Sequence, residues 1–121
     1  MKYLVVDDSK MARKMTIKSL QSLINEDDEI IQAENGQEAV ELYKEHQPNL
    51  CLMDLTMPIM DGFEATLNIR LFDNDAKIII ISADIQETSM EKSKQNGAIG
   101  FIKKPVNNAN LEAMLKKLGL I

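Results

Sequence analysis

This chain has little that could crosslink it. It holds a single cysteine, Cys51, set inside an apolar run, so an internal disulfide is excluded and the thiol reads as reduced and buried. Basic charge is not in excess. The formal net charge is -5, and the pairs Lys103-Lys104 and Lys116-Lys117 are too short to form a nucleic-acid surface. No apolar stretch approaches the ~20 residues that a membrane helix needs. The first residues enter an apolar run directly, with neither a basic leader nor a cleavage pattern, so no secretory signal is expected. The one histidine, His46, has no second histidine to share a metal and reads as a surface residue. No repeat, linker or low-complexity tract breaks the chain. These absences describe a cytoplasmic, globular protein. A length of 121 residues, 45% hydrophobic and 27% charged, suffices for one ordinary domain over residues 1–121.

What the chain does have is alternation. Short apolar runs at 2–6, 29–33, 50–53, 77–81 and 99–102 read as strands buried on both faces. Between them lie segments with helical spacing. Ser9 is a helix N-cap, with Met11, Ala12, Met15, Leu20, Leu23 and Ile24 as the expected apolar face of helix one. Asn35-Gly36 reads as a turn, and Ala39, Val40 and Tyr43 line helix two, which ends near His46 and Pro48. Helix three is expected near 62–72, with Phe63, Leu67 and Leu71 on one face. The segment 85–96 is mostly polar, anchored by Ile85 and Met90, and should be the helix that moves most easily. Asn96-Gly97 ends it. Asn107 or Asn108 caps helix five, whose stripe is Leu111, Met114, Leu115 and Leu118. Five β–α units with right-handed crossovers define an α/β sandwich around a parallel sheet, and five strands suit the flavodoxin-like order 2-1-3-4-5.

That order makes strands one and three neighbours, so Asp7 and Asp8 converge on Asp54. Ser82 and Lys104 follow strands four and five at the same edge, where open α/β sheets place their chemistry. Grouped carboxylates are costly, since two unit charges ~5 Å apart at an effective dielectric of ~20 repel by roughly 3 kcal/mol. A divalent cation offsets that cost, and all-oxygen ligands favour Mg²⁺, with Mn²⁺ as a substitute. Pro105 biases Lys104 toward extended geometry, from which the lysine reaches across the mouth to Asp54, while Lys103 points elsewhere. Ser82 stands where its hydroxyl can donate to an oxygen held at Asp54. The residues therefore describe a metal-assisted phosphoryl-acceptor site.

Asp7-Asp8, Asp54 followed by Met57-Pro58 and Asp61-Gly62, Ser82-Ala83, and Lys104-Pro105 together resemble the receiver domain of bacterial response regulators, over essentially the whole chain. The resemblance implies the same strand order. It further implies Asp54 as phosphoacceptor and metal ligand, Asp7 and Asp8 as the acid pair for Mg²⁺, and the Thr56 backbone carbonyl completing the metal site. By the same resemblance Lys104 pairs with the phosphoryl group, Ser82 and Phe101 form the switch pair, and the side chains at Thr56 and Asp84 tune phosphoryl lifetime. Phe101 stands where many members carry tyrosine, so it can rotate inward but has no hydroxyl to offer. The implied partners are a sensor histidine kinase, a downstream target such as a motor switch or phosphorelay component, and a phosphatase. The implied output face is helix four, strand five and helix five, and the chain resembles a single-domain, chemotaxis-type regulator.

Other functions fit less well. A Mg²⁺-dependent phosphohydrolase with an aspartyl nucleophile, of the haloacid dehalogenase kind, needs a second acid two residues after the nucleophile, where this chain has Thr56. A flavin carrier needs an N–H-rich, hydroxyl-rich loop after strand one, and Asp7-Asp8 would repel the flavin phosphate. A receiver that is never phosphorylated would have no use for the intact set of site residues.

Overall fold

In the computed structural model, which describes every residue except Ile85, five strands alternate with five helices. They are β1 (Lys2–Val6), α1 (Lys10–Gln21), β2 (Glu29–Ala33), α2 (Gly36–His46), β3 (Leu50–Met53), α3 (Gly62–Phe72), β4 (Ile78–Ser82), α4 (Glu87–Gln95), β5 (Gly100–Lys103) and α5 (Asn108–Lys117). The sheet is parallel throughout, in the order β2-β1-β3-β4-β5, as the alternation of runs predicts. Register aligns the strand ends. Val6 pairs with both Ala33 and Met53, Met53 with Ile80, and Ser82 with Lys103. Whatever follows each strand therefore emerges at one edge.

Side chains alternate between two cores, the period-2 consequence of a strand covered on both faces. Leu4, Val6, Cys51, Met53, Ile78 and Ile80 pack on one side with Ala39, Val40 and Tyr43 of α2 and Ala65 and Ile69 of α3. Tyr3, Val5, Leu50, Leu52, Ile79 and Ile81 pack on the other with Leu20 of α1 and Leu111 and Leu115 of α5. Central strands β3 and β4 are buried along their whole length. Edge strand β2 exposes Glu29 and Gln32, and edge strand β5 exposes Lys103, polar edges that discourage strand pairing with other chains.

Four helices begin with a side-chain cap. Ser9, Asn35, Asp61 and Asn107 accept from the backbone N–H of Ala12, Glu38, Glu64 and Asn110. Asn35-Gly36 is thus the start of α2 rather than a free turn, and Asn107, not Asn108, caps α5. The N-cap of helix α4 is Gln86, which makes no side-chain cap bond.

Two apolar faces expected from the sequence hold only in part, since Leu20, Leu23 and Ile24 face one core and Phe63 packs against the other. In α1, Met11 and Met15 are 68% and 46% exposed, while Arg13, Thr16, Ser19 and Leu20 turn inward. The inward face starts beside the polar strand ends, where a donor such as Arg13 is more useful than a methionine. In α3, Leu67 and Leu71 are exposed, and the buried face is Gly62, Ala65, Thr66 and Ile69. Small residues there let α3 approach α2 and the sheet closely. Met90 is also exposed, and the only residue of α4 that is fully buried is Ser93, so the described residues of this helix hold it lightly. The expected anchor at Ile85 lies outside the described residues.

Candidate phosphoacceptor and metal site

Asp7 leaves β1 with its position determined from four directions. Its N–H donates to the Ala33 carbonyl at 3.2 Å, and its own carbonyl accepts from Arg13 Nη1 at 2.7 Å. Its carboxylate accepts from the Ser9 N–H through Oδ1 at 2.9 Å and from Lys104 Nζ through Oδ2 at 2.8 Å. Arg13 is buried and also donates through Nε to Gln32 Oε1 at 3.1 Å, so it ties the ends of β1 and β2 together. The sequence signal for Arg13 was its place on the helical row 13, 16, 20 that faces the sheet. That row was masked by the methionines on the opposite side.

Asp54 follows β3 next door, its N–H bonded to the Val6 carbonyl at 2.9 Å. The loop after it returns at once: the Gly62 N–H donates to the Leu55 carbonyl at 2.8 Å, and a Cβ at position 62 would overlap the Asp54 carbonyl oxygen. Glycine at the start of α3 is therefore what lets the helix close against the acceptor loop. On the way, Ile59 adopts φ 69° and Met60 N–H bonds to the Pro58 carbonyl at 2.7 Å, a tight γ-turn of the strained, positive-φ kind.

Ligand oxygens of Asp7, Asp8 and Asp54 lie within 4.8 Å of one another. Asp7 and Asp54 are buried and Asp8 is exposed, so the group opens to solvent on one side. Lys104 is held by its backbone N–H to the Ser82 carbonyl at 2.9 Å, and its Nζ lies 2.8 Å from Asp7 Oδ2 and 3.3 Å from Asp54 Oδ1. The lysine thus reaches both acids, with Asp7 the nearer. Burial, then the charge of Asp7, push the Asp54 carboxyl up to about 6, against the opposing pull of Lys104. Burial pulls the Lys104 ammonium down, but its bond to Asp7 and the charges of Asp54 and Asp7 outweigh this and raise it. Repulsion between like charges, only partly cancelled by one lysine, and an all-oxygen donor set open on one side fit a hard divalent cation.

The remaining expected residues stand around this centre. Ser82 is buried, and its Oγ accepts from the Asp84 N–H at 3.0 Å. Phe101, partly buried, packs against the α2–α3 side of the core. Thr56 is exposed beside Asp54, and Asp84 is half-buried. The Lys104–Pro105 bond is cis. Among the described residues, no helix is long and apolar enough to cross a membrane.

A parallel five-stranded sheet that gathers three carboxylates and a lysine at its C-terminal edge is the architecture of a phosphoacceptor domain. Residues 3–116 match the response regulator receiver domain family, and the chain belongs to it: a phosphorylation-controlled signalling switch, and a signalling protein rather than an enzyme. Within that family it is similar to the chemotaxis protein CheY of Halobacterium salinarum, 48% identical over 84% of this chain and 82% of the relative. It is likewise 44% identical to the chemotaxis protein CheY of Bacillus subtilis, over 95% of each. In structure it resembles the CheY of the CheX-CheY-BeF3-Mg complex from Borrelia burgdorferi, with a TM-score of 0.88, 32% identity, and 100% of this chain and 90% of that chain covered.

Proposed function

We propose that residues 1–121 act as a single cytoplasmic receiver domain whose Asp54 accepts a phosphoryl group from a sensor histidine kinase. The observation that carries the reading is the convergence of Asp7, Asp8 and Asp54 within 4.8 Å with Lys104 in reach of the acceptor. Asp7, Asp8, Asp54 and the Thr56 carbonyl would hold Mg²⁺. The bound cation would neutralise the carboxylates and the oxygens of the transferring group, the main requirement of phosphoryl transfer. A carboxylate oxygen of Asp54 attacks phosphorus as the bond to the donor breaks, and the ammonium of Lys104 meets the charge that arrives on the phosphoryl oxygens. Ser82 turns its hydroxyl toward one of those oxygens, and Phe101 moves into the space this frees. The changed surface is α4, β5 and α5. The relatives' names favour a chemotaxis target, and the CheX bound to CheY in the Borrelia burgdorferi complex favours a further protein partner, which we read as a phosphatase.

A small acyl-phosphate donor with Mg²⁺ tests this. Intact-mass spectra should show one alkali-labile phosphoryl adduct, absent in Asp54→Asn because an amide is a poor nucleophile. In thermal scans Mg²⁺ should stabilise the wild type by mass action and leave Asp8→Ala unmoved. An undiminished adduct on Asp54→Asn moves the acceptor elsewhere, and equal stabilisation of Asp8→Ala removes Asp8 from the metal site.

A further inference from the structure

A file of polar side chains runs from the acceptor site into α4. Ser82 Oγ accepts from the Asp84 N–H at 3.0 Å. Asp84 Oδ2 accepts from the Ser89 hydroxyl at 2.6 Å, and Oδ1 from the Gln86 N–H at 3.0 Å. One turn further on, the Ser89 carbonyl accepts from the hydroxyl of Ser93 at 2.9 Å, and Ser93 is 1% exposed. Gln86 contributes no cap, so Asp84 supplies the side-chain acceptor at the N-terminus of α4 from two residues upstream. The helix is otherwise short of anchors, since Ser93 is its only fully buried residue.

We propose that the Asp84–Ser89 hydrogen bond is the coupling element through which a change at Ser82 moves α4, with Asp84 and Ser89 acting as positioning residues. The proposal rests on the role given above to Ser82. A Ser82 hydroxyl that turns to donate to a phosphoryl oxygen leaves the Asp84 N–H in search of another acceptor. An unpaired donor in a partly buried loop is costly, so the Asp84 backbone follows or re-pairs. Its carboxylate is fastened to Ser89, in the first turn of α4, so the displacement is delivered to the helix. Few apolar contacts resist it there. The groove between α4 and β5, lined by Met90, Lys94, Ile99 and Phe101, changes shape as a result. Without the Ser89 hydroxyl the loop can adjust alone.

The test uses the full chain with Mg²⁺ and beryllium fluoride as the phosphoryl mimic. Fluorine NMR reports the adduct at Asp54 and amide chemical shifts report the response, in wild type, Ser89→Ala and Ser89→Thr. All three should form the adduct in full at saturating mimic. Shift changes at residues 7–8 and 54–56 should be equal, while those over 87–95 should fall roughly threefold or more in Ser89→Ala and recover in Ser89→Thr. A full α4 response in Ser89→Ala overturns the coupling, and so does a Ser89→Thr protein that stays uncoupled. A wild type that forms the adduct without any α4 response also overturns it. A wild type that forms no adduct refutes the acceptor reading beneath it, and the fluorine signal tells these failures apart.

Discussion

Helices α3 and α4 lie side by side, joined by the Asn96 side chain donating to the Phe63 carbonyl at 3.0 Å and by the Lys92 ammonium over the Phe63 ring at 4.5 Å. They are held in opposite ways. Helix α3 is capped by Asp61, buries Ala65, Thr66 and Ile69, and ends where the Tyr43 hydroxyl bonds Asp73 at 2.7 Å. Helix α4 has no cap on its own N-terminal residue and buries Ser93 alone. One helix fixes the loop that carries Asp54, and the other is attached to the site through hydrogen bonds that can rearrange. The difference suggests how a domain this small can both keep and move its parts. Apolar burial holds the helix beside Asp54, and polar contacts tie α4 to Ser82.

The largest expected effect contrasts the two helices directly. Ile69→Ala removes a side chain that is 1% exposed and should cost about 3 kcal/mol by urea denaturation. Met90→Ala, at a position 41% exposed, should cost about 0.5 kcal/mol. Equal losses would mean that α4 is anchored as firmly as α3.

Acid separates the same two regions. The Asp54 carboxyl is raised from 3.8 to about 6, so the folded state binds its proton more tightly than the unfolded state does. Without metal, stability should therefore rise as pH falls from about 6 toward 3.8, by about 1–2 kcal/mol once solvent at the mouth is allowed for. Asp54→Asn should flatten that rise. The Asp84 carboxyl is lowered by its bonds to Ser89 and Gln86, so its contribution is present above 3.8 and lost below. Amide exchange should show α4 opening in that lower range while α3 stays protected. A rise that persists in Asp54→Asn, or α3 opening first, would break the distinction.

The last effect improves the firm helix. The Thr66 hydroxyl on α3 is buried without a partner among the described residues, and Thr66→Val should raise stability by about 1 kcal/mol. A loss instead would show that the hydroxyl has a bond in solution.

The strands were legible because burial on both faces leaves nothing but apolar residues in the central runs 50–53 and 78–81, and topology then placed Asp7, Asp8, Asp54 and Lys104 together. The helix faces were less so. A helix that packs near a polar site buries Arg13, Thr16 and Ser19, which apolar periodicity discards, and a closely approaching helix buries Ala65 rather than Leu67. The link from Asp84 to Ser89 has no sequence signature, since it depends on how the two side chains meet in space.

The absence of a side chain at Gly62 also bears on how this domain can be altered. Residues 55–61 form a loop closed by the Gly62 N–H on the Leu55 carbonyl and by the Gly36 N–H on the Met60 carbonyl. A loop closed at both ends has a fixed contour, so residues in it can be exchanged but not added without displacing Asp54. Labels, tags and inserted peptides belong instead at the polar turn near 25–28 between α1 and β2. That turn lies beyond the N-terminal end of β2, across the sheet from the acid site, and extra length there leaves the acceptor where it is.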